Sequence, residues 1–474
     1  MSPSTGLSFR IHSKPGPRMR GIFGTSESEE PMTQRKHLKQ IVRARMEKTG
    51  ERYAAARRHV VASEAQETPS YPFHFPGTIP AATALRSILT AAGLRDPLTN
   101  QPYSETTAFG LAGGIGIGVF SFLYERDDFA SFFIAGRHLW QDDASYISRA
   151  AARSGVEIRV FENASQKKAA RDLDEALETG APCIAWVDAG LLPHRASNSD
   201  MQGGGYHVVT VHGRTDSGRG VIVGDLADSP ITIDAEAFAA SRKRITKFKN
   251  RLAQITGKQR EIDAKVAAID ALRACHSGLM GSDAIGNSSQ SFKLDAIRDW
   301  SGDLRGRGAR SWRRVFPRGH RLWTGLTMLY EFIELYGTGG GLCRPIFADY
   351  LSGLGEQMGR NDLTDIGAGY NELGKAWTGL AAAALPEGSG PMAEARHQLT
   401  RRAELRASAP DDQSALHELS LRLNALAEQA ARDFPLSEDE CGSLLSELAD
   451  RASTIHHKEK DLSGALGRAV AMTP

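Results

Sequence analysis

The 474-residue sequence holds only four cysteines, Cys183, Cys275, Cys343 and Cys441, and no two of them form a CxxC pair. That scarcity excludes a disulfide framework and a thiolate zinc site, and it suits a reducing compartment. No run of about 18 apolar residues occurs, so nothing reads as membrane-spanning. The polar, Pro/Gly-rich start lacks the apolar core of a signal peptide. A cytoplasmic protein with no membrane partner is therefore expected. The net charge of +2 excludes attraction of the whole molecule to nucleic acid, so any basic patch must be local. His138, His194, His207 and His212 lack the spacing of zinc ligands, and neither metal nor cofactor is expected. The GGIGIG run from Gly113 to Gly118 departs from the GxGxxG spacing and no parallel βαβ pattern follows it, which excludes a dinucleotide site.

What is present is ordinary globular material, 41% hydrophobic and 24% charged, enough for two or three domains. Residues 1–31 are Ser-, Pro- and Gly-rich without periodicity and are expected to be disordered, with Met32 as the functional start. Residues 32–63 read as a basic helical arm: nine Lys/Arg face two Glu between Arg35 and Arg58. A solvated arm packed on the main domain is the expected reading of that charge, with an acidic partner as the alternative. A first large domain is expected over 72–251, with a helix near Ala81–Ala92, a Gly-rich loop, a second helix, and then several strands. These strands are placed at Pro182–Val187, Tyr206–His212, Gly220–Asp225 and Ile231–Ile233, the middle two joined by a Thr215–Gly218 turn. Helices first and antiparallel strands later indicate an α+β fold. Residues 252–275 read as a helical connector, 276–450 as a mostly α-helical domain with apolar residues at helical spacing, and 451–474 as a C-terminal tail.

The hairpin places His207 on one strand and Asp225 at the end of the next. That is the layout of a general base and its orienting carboxylate. Such a pair needs a nucleophile, typically a thiol at the start of a buried helix where the dipole favours thiolate. His207 and Asp225 are expected within hydrogen-bond reach, both facing the start of the helix that begins near Pro80.

The stretches FHFPGTIPAATALRSILTAAGL and LTNQPYSETTAFGLAGGIGIGVFSFLYE, with GGYHVVTVHG and GDL, resemble the N-terminal domain family of the butirosin-biosynthesis acyltransferase over residues 72–250. The stretch FIELYGTGGGLCRPIFADYL resembles the helical companion domain that follows in that family. The resemblance implies a papain-like fold. It also implies acyl transfer from a carrier-protein thioester to an amine, with an acyl carrier protein and an amine acceptor as partners. His207 would be the base and Asp225 its orienter. Glu105, Thr78, Gly114 and Gly116 would line the substrate. The family's cysteine falls on Pro80, which suits a first helical turn but cannot be a nucleophile. Two functions stay open: an acyltransferase working without its thiol, and a non-catalytic ligand- or carrier-binding protein. Glu105 has a second reading as a helix cap or ion-pair partner. Arg344 is expected to pair with Glu334 or Asp349. Cys183, on a strand, reads as core.

Overall fold

The structure is a computed structural model and describes residues 71–126, 128–195, 205–257, 259–281 and 291–472. The readings of residues 1–31 and 32–63 fall outside them. Residues from Tyr71 onward form one compact unit.

The chain enters through helix α1 (Pro80–Ala91). Ile79 is extended at its N-cap and Pro80 follows at the first helical position, where the missing N–H costs nothing. Its apolar face, Ala81, Ala82, Leu85, Ile88 and Leu89, is buried. Helix α2 (Glu105–Leu111) starts at Ser104, whose hydroxyl accepts the Thr107 N–H. Next come β1 (Ile115–Tyr124) and β2 (Phe129–Arg137), an antiparallel two-stranded ribbon. The Gly-rich segment expected to be a loop is thus the start of a strand. Its glycines hid the alternation because backbone and rings lie against them: a Cβ on Gly116 would strike the Arg137 carbonyl at 2.6 Å and one on Gly118 the Trp140 ring.

Helix α3 (Asp143–Arg153), β3 (Glu157–Phe161), α4 (Gln166–Glu178), β4 (Cys183–Asp188), β5 (Tyr206–Arg214), β6 (Gly220–Gly224), β7 (Ile231–Asp234), α5 (Ala235–Arg244) and β8 (Leu252–Thr256) follow. The six strands form an antiparallel sheet in the order β3-β8-β4-β5-β6-β7. The expected helical connector at 252–275 therefore begins with an interior strand of this sheet, paired with β3 and β4, and a boundary at 251 would cut β8 away. The charged run after it, ending in the helix that starts at Ala264, masked five residues of strand.

The second half is helical: α6 (Ala264–Met280), α7 (Asp295–Arg305), α8 (Trp312–Val315), α9 (His320–Glu334), α10 (Arg344–Met358), α11 (Asn361–Ala384), α12 (Gly390–Ser408), α13 (Gln413–Arg432) and α14 (Glu438–Ala471). The expected tail at 451–474 is largely the second half of α14, which buries Ile455, Leu466, Ala469 and Val470. Among the described residues no helix is long and apolar enough to cross a membrane. The protein is α+β with a helical C-terminal part.

The sheet has two buried faces. On one, Cys183, Ala185, Val187, Val209, Val211 and Val223 pack with Leu173 of α4 and Phe238 of α5. On the other, Ile184, Trp186, Val208 and Ala253 join the α1 residues in a core that runs on through the helical half. Phe132 of β2 meets Trp300 and Trp312 at ring separations of 5.4 and 5.1 Å. Arg344 fixes the same junction. Its Nε donates to Glu459 of α14 at 2.7 Å, and its Nη atoms donate to the Gly136 and Gly116 carbonyls at 3.1 Å each. The expected pairing of Arg344 with Glu334 or Asp349 is thereby corrected. Glu334 instead accepts from the Gly341 N–H and the Thr378 hydroxyl. The partner, Glu459, lay 115 residues downstream, beyond the reach of local spacing.

Candidate functional site

Asp225 follows β6 immediately, at the end of the sheet where β5 begins. His207 donates from Nε2 to Asp225 Oδ1 at 2.9 Å, and both side chains are about 1% exposed. The expected hydrogen bond between neighbouring strands is present. It is one of several. His194 Nε2 donates to Oδ2 at 2.8 Å, and Arg195 grips the carboxylate through Nε and, at 3.0 Å, through Nη2. The Leu226 N–H closes the set at 2.8 Å. Sequence reasoning weighed His194 only as a metal ligand and did not weigh Arg195. Their adjacency in the PHRAS stretch was the available signal, and it gave no indication that both would fold back onto Asp225.

Burial opposes ionisation of Asp225, but Arg195, His207 and the hydrogen bonds from both histidines hold its carboxyl well below the usual range. Burial in turn pushes His207 and His194 below the ordinary imidazole value, outweighing the attraction of Asp225. The site therefore rests as one carboxylate, one guanidinium and two neutral imidazoles. With Nε2 on Asp225, the proton-accepting position of His207 is Nδ1.

Side chains alternate along a strand. His207 lies on the face of Val209 and Val211 and sits opposite Val187 of β4, whereas Val208 faces the α1 core. The lead-in to α1 reaches the sheet end, through the Gly77 N–H on the Leu226 carbonyl at 3.2 Å.

The start of α1 is itself occupied. Glu105 accepts from the Thr78 N–H at 2.8 Å, the Ile79 N–H at 2.6 Å and the Thr83 hydroxyl at 2.8 Å. A carboxylate on the free N–H groups of a helix start is electrostatically favourable. Glu105 is therefore a cap for α1, the second of its two sequence readings, and Thr78 is one of its donors. Gly114, at φ +60°, lies where a Cβ would meet the Phe347 ring at 2.5 Å, and Gly116 gives its carbonyl to Arg344. Both glycines permit close packing. Pro80 abuts the glycine segment that leads into α10: a Cβ on Gly337 would lie 3.2 Å from its ring.

Cys183, Cys275 and Cys343 are buried, and burial pushes each up to about 12. Cys343 stands at the N-cap of α10 with Arg344 beside it, and burial still prevails over both influences. Of the other histidines, His138 packs against Gly113 and Gly278, and His212 against His74 at 5.7 Å.

Residues 80–226 match the family described as Butirosin biosynthesis protein H, N-terminal, and residues 236–411 match a domain of unknown function, DUF4872. Residues 80–226 are thus similar to the N-terminal domain of butirosin biosynthesis protein H. The two matches follow in the order that the FIELYGTGGGLCR segment implied, and the first spans α1, Glu105, His207 and Asp225 together. The glycine segment before α10, which abuts Pro80, lies inside the second. No curated protein matches the chain.

Proposed function

We propose that this butirosin biosynthesis protein H-like chain has given up covalent acyl transfer and serves as a ligand- or carrier-binding protein on a papain-like framework. The observation that carries this reading is the start of α1. Proline stands where the family's thiol falls, and Glu105 sets a carboxylate on the Thr78 and Ile79 N–H groups just ahead of it, a charge that disfavours a thiolate there. A carrier-bound acyl thioester and an amine remain the ligand classes to which the family points.

One observation favours a second reading. A neutral imidazole hydrogen-bonded to a carboxylate at 2.9 Å is a competent general base. It would let an amine attack an already activated thioester directly, without an acyl-enzyme.

Pro80→Cys tests the first reading. With Glu105 on the helix start, the new thiol should keep an ordinary or raised pKa. Intact-mass analysis after exposure to an acyl N-acetylcysteamine thioester should show no acyl adduct at neutral pH. Rapid acylation at position 80, abolished by His207→Ala, would overturn the proposal.

A further inference from the structure

Between Arg305 and Arg321 the chain carries seven arginines and neither an acidic residue nor a lysine. Its apolar residues hold the segment firmly. Leu304 and Trp312 are fully buried and Phe316 nearly so, and the Trp312 ring packs on Phe132 of β2 at 5.1 Å and on Phe316 at 4.7 Å. The cations are left outside: Arg307, Arg313, Arg314 and Arg318 are all exposed. Three of the seven have a carboxylate at hand, Arg305 on Asp450, Arg310 on Asp303 at 3.7 Å and Arg321 on Asp128 at 3.4 Å. The other four have no ion-pair partner among the described residues, and Arg318 donates only to the backbone carbonyls of Phe434 and Leu436.

A second feature adjoins this segment. Phe122, Leu123 and Tyr124 at the end of β1 are 45%, 38% and 44% exposed, three consecutive large apolar side chains in water. The Arg321–Asp128 pair ties the arginines to the β1–β2 turn. Register sets Ser121 opposite Phe132 and Leu123 opposite Ala130. Leu123 therefore lies one pleat beyond the Phe132–Trp312 contact, on the same face of the ribbon. An exposed apolar cluster beside unpaired arginines has the composition of a protein interface, where aromatic residues and arginine are enriched and lysine is depleted. We propose that the ribbon tip and the arginine segment form one docking surface for a partner protein that presents a compact acidic face.

Charge decides the class of partner. A guanidinium fork matches a carboxylate through paired hydrogen bonds. A nucleic-acid strand needs a continuous basic track. Here Asp128, Asp303 and Asp450 stand among the arginines, and Glu438 and Glu440 flank Arg313 and Arg318 around Cys441. A phosphate backbone crossing the patch would meet these carboxylates. Insertion of the tip into an anionic membrane would carry Glu125 and Asp128 of the turn toward lipid phosphates. A folded partner avoids both penalties, because its acidic side chains are discrete and can face the four unpaired arginines while an apolar neighbour covers Leu123 and Tyr124. The proposal is independent of how the start of α1 is read.

Fluorescence anisotropy of the full chain with a labelled helical peptide tests it. The peptide carries glutamates on one face and leucines at its centre. Its controls are a glutamine counterpart, an oligouridine of equal charge and vesicles containing phosphatidylglycerol. The acidic peptide should bind saturably at about 0.05 M salt and at least about fivefold more weakly at about 0.3 M. The glutamine counterpart should bind at least about tenfold more weakly. Arg307→Glu with Arg314→Glu should weaken the acidic peptide by about tenfold or more. Tyr124→Ser should weaken it by about three- to tenfold with the salt dependence kept. All three positions are exposed, so the melting temperature should not change. If the charge reversal does lower it, Arg307→Gln with Arg314→Gln decides, with a loss of at least about threefold. The proposal is overturned if the acidic peptide does not saturate, if the glutamine counterpart matches it, if the oligouridine or the vesicles bind more tightly, or if the folded arginine variants bind as the parent does.

Discussion

Asp225→Ala removes the one acceptor shared by His194, His207 and Arg195. The heaviest consequence falls on Arg195, whose side chain is 11% exposed and would keep its charge without a counter-ion. Stranding one member of a buried ion pair costs about 3–5 kcal/mol. The two imidazoles are already neutral and lose one hydrogen bond each, about 1 kcal/mol apiece. Partial hydration of the space left by the carboxylate offsets part of this, so a total near 4 kcal/mol is expected. Asp225→Asn keeps an acceptor oxygen and should cost less. Arg195→Met in the Asp225→Ala background should recover about 1–3 kcal/mol, because the stranded charge leaves with its partner. Urea unfolding at pH 7 reads all three as shifts in midpoint at constant slope. A cost below about 1 kcal/mol for Asp225→Ala, or no recovery in the double variant, would refute the view that this carboxylate is held by a buried charge network.

Glu105→Ala should destabilise by about 1.5–3 kcal/mol, since Thr78, Ile79 and Thr83 lose a charged acceptor; Gln should cost less, and the same denaturation measurement checks both. Acid should weaken the fold from about pH 6.5 downward. His138 is held near 3 and His212 near 4, so the unfolded chain takes up protons there that the folded chain refuses. Stability present above pH 6.5 then falls by up to about 1.4 kcal/mol per pH unit for each histidine. Asp225, depressed in the fold, adds its loss only below about pH 4. Gly114→Ala should be among the most disruptive small substitutions, because φ is +60° and the new methyl meets Phe347; far-UV circular dichroism against temperature reads this. Native protein should leave all four cysteines unlabelled by a thiol reagent within minutes, and unfolding should release them.

Local patterns made α1, β4, the β5–β6 hairpin and β7 legible, because their apolar spacing and turn residues act within a few positions of one another. The His207–Asp225 bond followed from the same hairpin. Strand β8 was hidden because Leu252–Thr256 is short, stands beside a charged run, and is a strand only through partners at 157–161 and 184–185. The β1–β2 ribbon was hidden because its glycines answer to a ring and a carbonyl far along the chain. The face on which His207 lies was readable in principle, from alternation with Val209 and Val211. What could not be read was which face α1 would cover. Arg195, Glu459 and the capping role of Glu105 are all pairings across 22 residues or more, where local spacing carries no information.

The central claim is that no acyl transfer passes through this site, and thiol release from an acyl-pantetheine or acyl N-acetylcysteamine thioester tests it most directly. With excess thioester and a panel of primary amines, the account predicts release at the uncatalysed rate, identical for the parent and for His207→Ala. Release above background that falls by about 10²–10⁴-fold in folded His207→Ala would contradict it and establish His207 as a working general base.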